Sequence, residues 1–137
     1  MPNNPDIEQL IRRYYDAINR RDYDTVWDCF DVNLVYTDAA LGHVYNNLEE
    51  FKDFYLTYMG ALNVDMVLGE IVATDTAYAV SNHFQGVHDA DLPGLPATGR
   101  TYSIPSASIG TIENGRIKTN TDYWNLNALL IQLGILK

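Results

Sequence analysis

Ile7, Leu10, Ile11, Tyr14, Tyr15 and Ile18 recur at helical spacing behind Asn4, Pro5 and Asp6, a pattern that predicts an amphipathic helix with Asn4 as its cap. The polar run Asn19-Arg20-Arg21-Asp22 breaks it. Beyond the break, Tyr23, Val26, Trp27 and Phe30 share one side of a second short helix, for which Asp22 is a cap. Asn33 to Asp38 reads as a strand, with Leu34, Tyr36 and Asp38 on one face and Val35 and Thr37 on the other. Asn47 followed by Glu50 resembles a capping box, and Phe51, Phe54, Tyr55, Tyr58, Met59 and Leu62 form a broad apolar stripe behind it.

From Val64 onward β signals dominate. Strands are expected over Val64–Thr74, Ala77–Val87, Arg100–Glu113 and Arg116–Trp124, with a turn-rich loop from Leu92 to Gly99 and a hairpin turn at Asn114-Gly115. A closing helix is capped by Asn125 and stopped by Gly134, with Leu126, Leu129, Leu130 and Leu133 on one side. Helices followed by antiparallel strands imply an α+β fold, a cone-shaped curved antiparallel sheet with three N-terminal helices packed on its concave face. Alternate strand residues then point into a hollow with few polar groups, a natural small-molecule pocket.

At 137 residues, 47% apolar and 20% charged, the chain fits a single domain spanning residues 1–137. Eighteen acidic against nine basic residues give a net charge of −9, which repels phosphate backbones and anionic lipid, so neither nucleic acid nor membrane is an expected partner. The one cysteine, Cys29, allows no internal disulfide, and the first residues carry neither a basic start nor an apolar run, so a cytoplasmic location is expected. His43, His83 and His88 show no ligand spacing, and no metal or other cofactor is expected. A partly covered outer sheet face makes a homodimer the expected assembly.

Asp122 is the most informative single residue. It lies between strand aromatics and a leucine-rich helix, where an ionised side chain is costly unless it is hydrogen-bonded or faces a cavity. Facing the cavity, it has its pKa raised and can act as general acid or base. Asp38 shares a strand face with Tyr36 and enters the pocket with it, as a base to the acid of Asp122 or the reverse. His83 and Gln85, two apart on one strand, are read as a pocket wall that orients a substrate oxygen or water. Phe51, Tyr55 and Met59 set pocket size, and Trp124 flanks the acid.

The loop Gly94-Leu-Pro-Ala-Thr-Gly-Arg100, the turn Asn114-Gly-Arg-Ile117 and the ending from Asp122 to Gly134 resemble the SnoaL-like polyketide cyclases of the nuclear transport factor 2-like superfamily. The resemblance implies a cone fold and a cofactor-independent enzyme that closes a ring by aldol-type proton transfer on a largely apolar carbonyl or polyketide-like substrate, with Asp122 as acid/base. The chain departs from those cyclases where Ser108 stands in place of a histidine and Asn125 in place of an acidic residue. It is also similar to limonene-type epoxide hydrolases, whose tyrosine, asparagine and final aspartate fall on Tyr36, Asp38 and Asp122, while His83 and Gln85 replace their arginine and second aspartate. Ketosteroid isomerases are similar through Tyr14, at the place of their oxyanion-holding tyrosine, and Asp38, at that of their base; Ser108 falls near their second aspartate. A binding or dimerisation module without catalysis is the reading from a different class.

Overall fold

The computed structural model describes residues 3–137. Its elements follow the order α1 (Pro5–Arg20), α2 (Tyr23–Asp28), β1 (Phe30–Asp38), β2 (His43–Tyr45), α3 (Leu48–Ala61), β3 (Asp65–Ala73), β4 (Ala77–Val87), β5 (Thr101–Glu113), β6 (Arg116–Trp124) and α4 (Leu126–Gln132). All four expected caps are made. Asn4 accepts from the amides of Asp6 and Ile7, Asp22 from Thr25, Asn47 from Glu50 and Asn125 from Ala128. Each satisfies amides that the first helical turn leaves without a partner.

The strands form one open sheet in the order β2-β1-β6-β5-β4-β3. The expectation of a purely antiparallel sheet is corrected here, because β1 runs parallel to β6. Alternation along a strand reports which face is buried; it carries no information on which distant strand lies beside it. The β5–β6 hairpin occupies one side of β6, and β1 takes the other after a crossover long enough for a parallel pair. Two smaller corrections concern β1, which starts at Phe30, before the expected Asn33, and β2, a short edge strand in a segment expected to be loop.

Three register shifts curve the sheet, between Phe30 and Val35, between Leu68 and Ile71 on β3, and between Thr111 and Ile112 on β5. At the hairpin between β5 and β6, Asn114 and Gly115 both take positive φ, 53° and 73°, as a tight primed turn requires. The helices α1 to α3 lie on the concave side, and α4 closes from the other end, where the Gln132 side chain bonds both Ser103 N and Ser103 O. Two apolar clusters result, one of α1, α2 and α3 against the sheet and one around Leu62, Tyr102, Ile104, Leu129 and Leu133. Residues from both line the cavity. Among the described residues, no helix is long and apolar enough to cross a membrane.

Candidate active site

The register of three neighbouring strands builds the polar end of the cavity. Ser108 on β5 is the partner of Asp122 on β6, and Asp122 is the partner of Asp38 on β1, so the three lie in one row across the sheet. The adjacent row holds Gly110, Asn120 and Tyr36. Every hydrogen bond to Asp122 follows from these two rows. Oδ1 accepts from the Ser108 hydroxyl at 2.6 Å and from Asn120 Nδ2 at 2.8 Å, and Oδ2 accepts from the Tyr36 hydroxyl. Asn120 is held in turn by the Tyr78 hydroxyl, which donates to its Oδ1. Gly110 lets Tyr78 reach that far, since a Cβ there would collide with the Tyr78 ring and with Thr119 O.

Burial raises the pKa of Asp122 above the ordinary carboxylate value; the donors Ser108, Tyr36 and Asn120 oppose that rise, and the negative charge of Asp38 adds to it. Tyr36 stays protonated and remains a donor, because burial and the neighbouring Asp122 charge push its pKa well up. Asp38 is held differently. Its oxygens accept from Leu41 N at 2.9 Å and from the Trp124 indole N–H at 3.1 Å, which closes the turn after β1. Burial raises its pKa as well, against the pull of these donors.

The cavity has a volume of about 250 Å³. Tyr14, Tyr36, Phe51, Tyr55, Met59 and Trp124, all expected at the pocket, line it together with Asp38, Ser108 and Asp122. The expectation for His83 and Gln85 is corrected. Both side chains are exposed on the outer face, because Asn82 and Phe84 take the inward positions of β4. Phe84 packs edge-on against Trp124 at 5.3 Å between ring centroids and against Tyr102 at 5.9 Å, which locks that register.

Three polar groups were missed by sequence reasoning. Asn120 stands two residues before Asp122 and so shares its face, a signal present in the strand alternation. Tyr78 and Asn82 had no such signal, since their roles depend on cross-sheet pairing. Asn82 donates through Nδ2 to the Tyr15 hydroxyl at 2.7 Å, while its Oδ1 is buried without a partner among the described residues. Tyr14 lines the cavity with a hydroxyl that has no hydrogen-bond partner among those residues. Among the described residues, no three His, Cys, Asp or Glu side chains come together in a group suited to a metal ion.

An open, curved six-strand mixed sheet with helices over its concave face and a polar floor at one end of an apolar cavity defines the nuclear transport factor 2-like, ketosteroid isomerase-like fold. The chain belongs to the SnoaL-like polyketide cyclase family, whose profile matches residues 8–133. Among solved structures, it is similar to a candidate polyketide cyclase from Xanthomonas campestris, at 27% identity, covering 96% of this chain and 99% of that one with a TM-score of 0.82. TsrD from Streptomyces laurentii is similar at 22% identity, with 99% and 100% covered and a TM-score of 0.84. A candidate SnoaL-like polyketide cyclase from Jannaschia reaches a TM-score of 0.88 at 13% identity, with 100% and 99% covered. No curated protein matches the chain.

Proposed function

We propose that the protein is an enzyme that closes a ring in a largely apolar carbonyl compound by proton transfer, with Asp122 as the single acid/base group. The observation that carries this reading is a half-buried carboxylate that lines an aromatic cavity, is held by three neutral donors and has a raised pKa. A raised pKa makes such a group a stronger base than an ordinary aspartate, suited to taking a proton and returning it. Asp122 removes a proton from the carbon beside a carbonyl, and the electron pair of that C–H bond becomes an enolate. The enolate carbon then attacks a second carbonyl of the same molecule, forming the ring bond and an alkoxide. Protonated Asp122 returns its proton to that alkoxide, so the product has the atoms of the substrate and the carboxylate is restored. The Tyr14 hydroxyl, without another partner among the described residues, serves as donor to the enolate oxygen.

The epoxide-opening reading relied on His83 and Gln85 at the cavity, and their exposure removes its support. The test of the proton-transfer reading needs no native substrate. A bicyclic ketone such as 2-tetralone, incubated with the protein in heavy water, should exchange its α-hydrogens faster than in buffer. The excess should vanish in Asp122→Asn while the ketone still binds; equal exchange by both proteins contradicts the proposal.

A further inference from the structure

The cavity has an imbalance of charge that the proton-transfer reading does not use. Nine of its lining residues are aromatic, and its charged side chains are Asp38 and Asp122. No lysine, arginine or histidine lines it among the described residues. Every donor to the two carboxylates is neutral: phenol, alcohol, amide, indole or backbone N–H. The ion pairs of the protein lie elsewhere, on side chains such as Arg13 with Asp28 and Arg20 with Asp16. His43, the register partner of Asp38 on β2, lies near that carboxylate outside the cavity wall. Among the described residues no cationic side chain lines the hollow that the two carboxylates share, one beside the other in the same row of the sheet. Tyr14, 9% exposed, adds to the same wall a hydroxyl that has no partner among the described residues.

Aromatic faces and carboxylates attract the same kind of group. Ring faces carry negative electrostatic potential, and a cation loses less on entering a cavity lined by them than on entering an aliphatic one. An anion meets both the ring faces and the carboxylates as like charge. The net charge of −9 extends the same preference to the approach from solvent.

We infer that the ligand of this cavity carries a basic amine, bound as the ammonium between the aromatic wall and Asp122, and that carboxylate or phosphate compounds are excluded. This deepens the proposed function and rests on its reading of the cavity as the substrate site; the substrate class becomes an amino ketone. The two halves reinforce each other. A bound ammonium holds Asp122 in its ionised form, the form that removes a proton, and an ammonium near the carbonyl makes the α-hydrogen more acidic.

The test compares three probes of similar shape on the whole protein at about pH 8, well above the usual carboxylate range. They are benzyltrimethylammonium, its uncharged carbon counterpart neopentylbenzene, and phenylacetate, each followed by quenching of tryptophan fluorescence. The cation should bind at least about tenfold more tightly than the neutral probe, and phenylacetate more weakly than either. Equal or tighter binding of the neutral probe, or binding of phenylacetate as strong as that of the neutral probe, overturns the inference. In Asp122→Asn, with its fold checked by circular dichroism, the preference for the cation should shrink to under about threefold; an unchanged preference overturns the assignment to Asp122. The wild-type series alone decides the main point if that variant misfolds. Affinity is read at equilibrium without turnover, so loss of ketone exchange with the cation preference intact defeats only the proton-transfer reading, and the reverse outcome defeats only this one.

Discussion

Asp38 and Asp122 are partners on adjacent strands, the first buried and the second half-buried, both with raised pKa, yet they are held in different ways. Asp38 takes its bonds from the backbone of its own turn and from an indole ring. These bonds tie the end of β1 to its following turn and to the Trp124 indole, and on the proposed function Asp38 serves as a brace. Asp122 takes its bonds from three side-chain donors around the cavity. On the proposed function, the kind of donor is what separates the two carboxylates, one tied to its own turn and an indole and the other to side chains around the cavity.

The sharpest way to break the comparison is to neutralise each acid in turn. Asp122→Asn should lower turnover by about 10²–10⁴-fold, the usual contribution of a general acid/base, with affinity for an uncharged ketone little changed. Initial rates against ketone concentration check it. Asp38→Asn should do the opposite. Its amide presents a donor where a second acceptor is needed, so the fold should lose about 1–3 kcal/mol in urea unfolding while turnover stays within roughly tenfold. An Asp38→Asn protein that is stable and inactive would exchange the roles assigned to the two.

A finer probe acts on the tuning of Asp122. The Ser108 hydroxyl favours the ionised carboxylate, so Ser108→Ala should raise the Asp122 pKa further. The base form then appears only at higher pH, and the acid limb of the rate profile should move upward, with the plateau reached later. The loss in stability should be only about 0.5–1.5 kcal/mol, as for one hydrogen bond. A downward shift of the limb argues against a base role for Asp122. The smallest effect is expected on the outer face. His83→Ala should leave turnover within about twofold and stability within about 0.5 kcal/mol, since its side chain touches neither the cavity nor the core.

Much of this arrangement was legible before any coordinates. Helix caps are local, and Asn4, Asp22, Asn47 and Asn125 are each recognisable from the residues beside them. Asp122 was legible because a carboxylate among strand aromatics and leucines needs a reason. The face of a strand was harder. On β4, His83 and Gln85 alternate with Asn82 and Phe84, and the polar pair looks more like a site than an asparagine beside a phenylalanine. Only the packing of Phe84 on Trp124 and Tyr102 decides which pair turns inward. The parallel pairing of β1 with β6 lay further out of reach. It is this pairing that brings Tyr36 and Asp38 beside Asp122, and nothing in either segment announces its partner.

The central claim is that the Asp122 carboxylate holds its proton to higher pH than an ordinary aspartate. A carbon-13 titration of the aspartate carboxyl groups measures it directly, with Asp122→Asn used to assign the signal. The account predicts that the signal lost in that variant titrates clearly above the usual value of about 3.9 and moves higher still in Ser108→Ala. A signal at or below that usual value would contradict this, because the carboxylate would then be an ordinary hydrogen-bonded anion, too weak a base to take a proton from carbon.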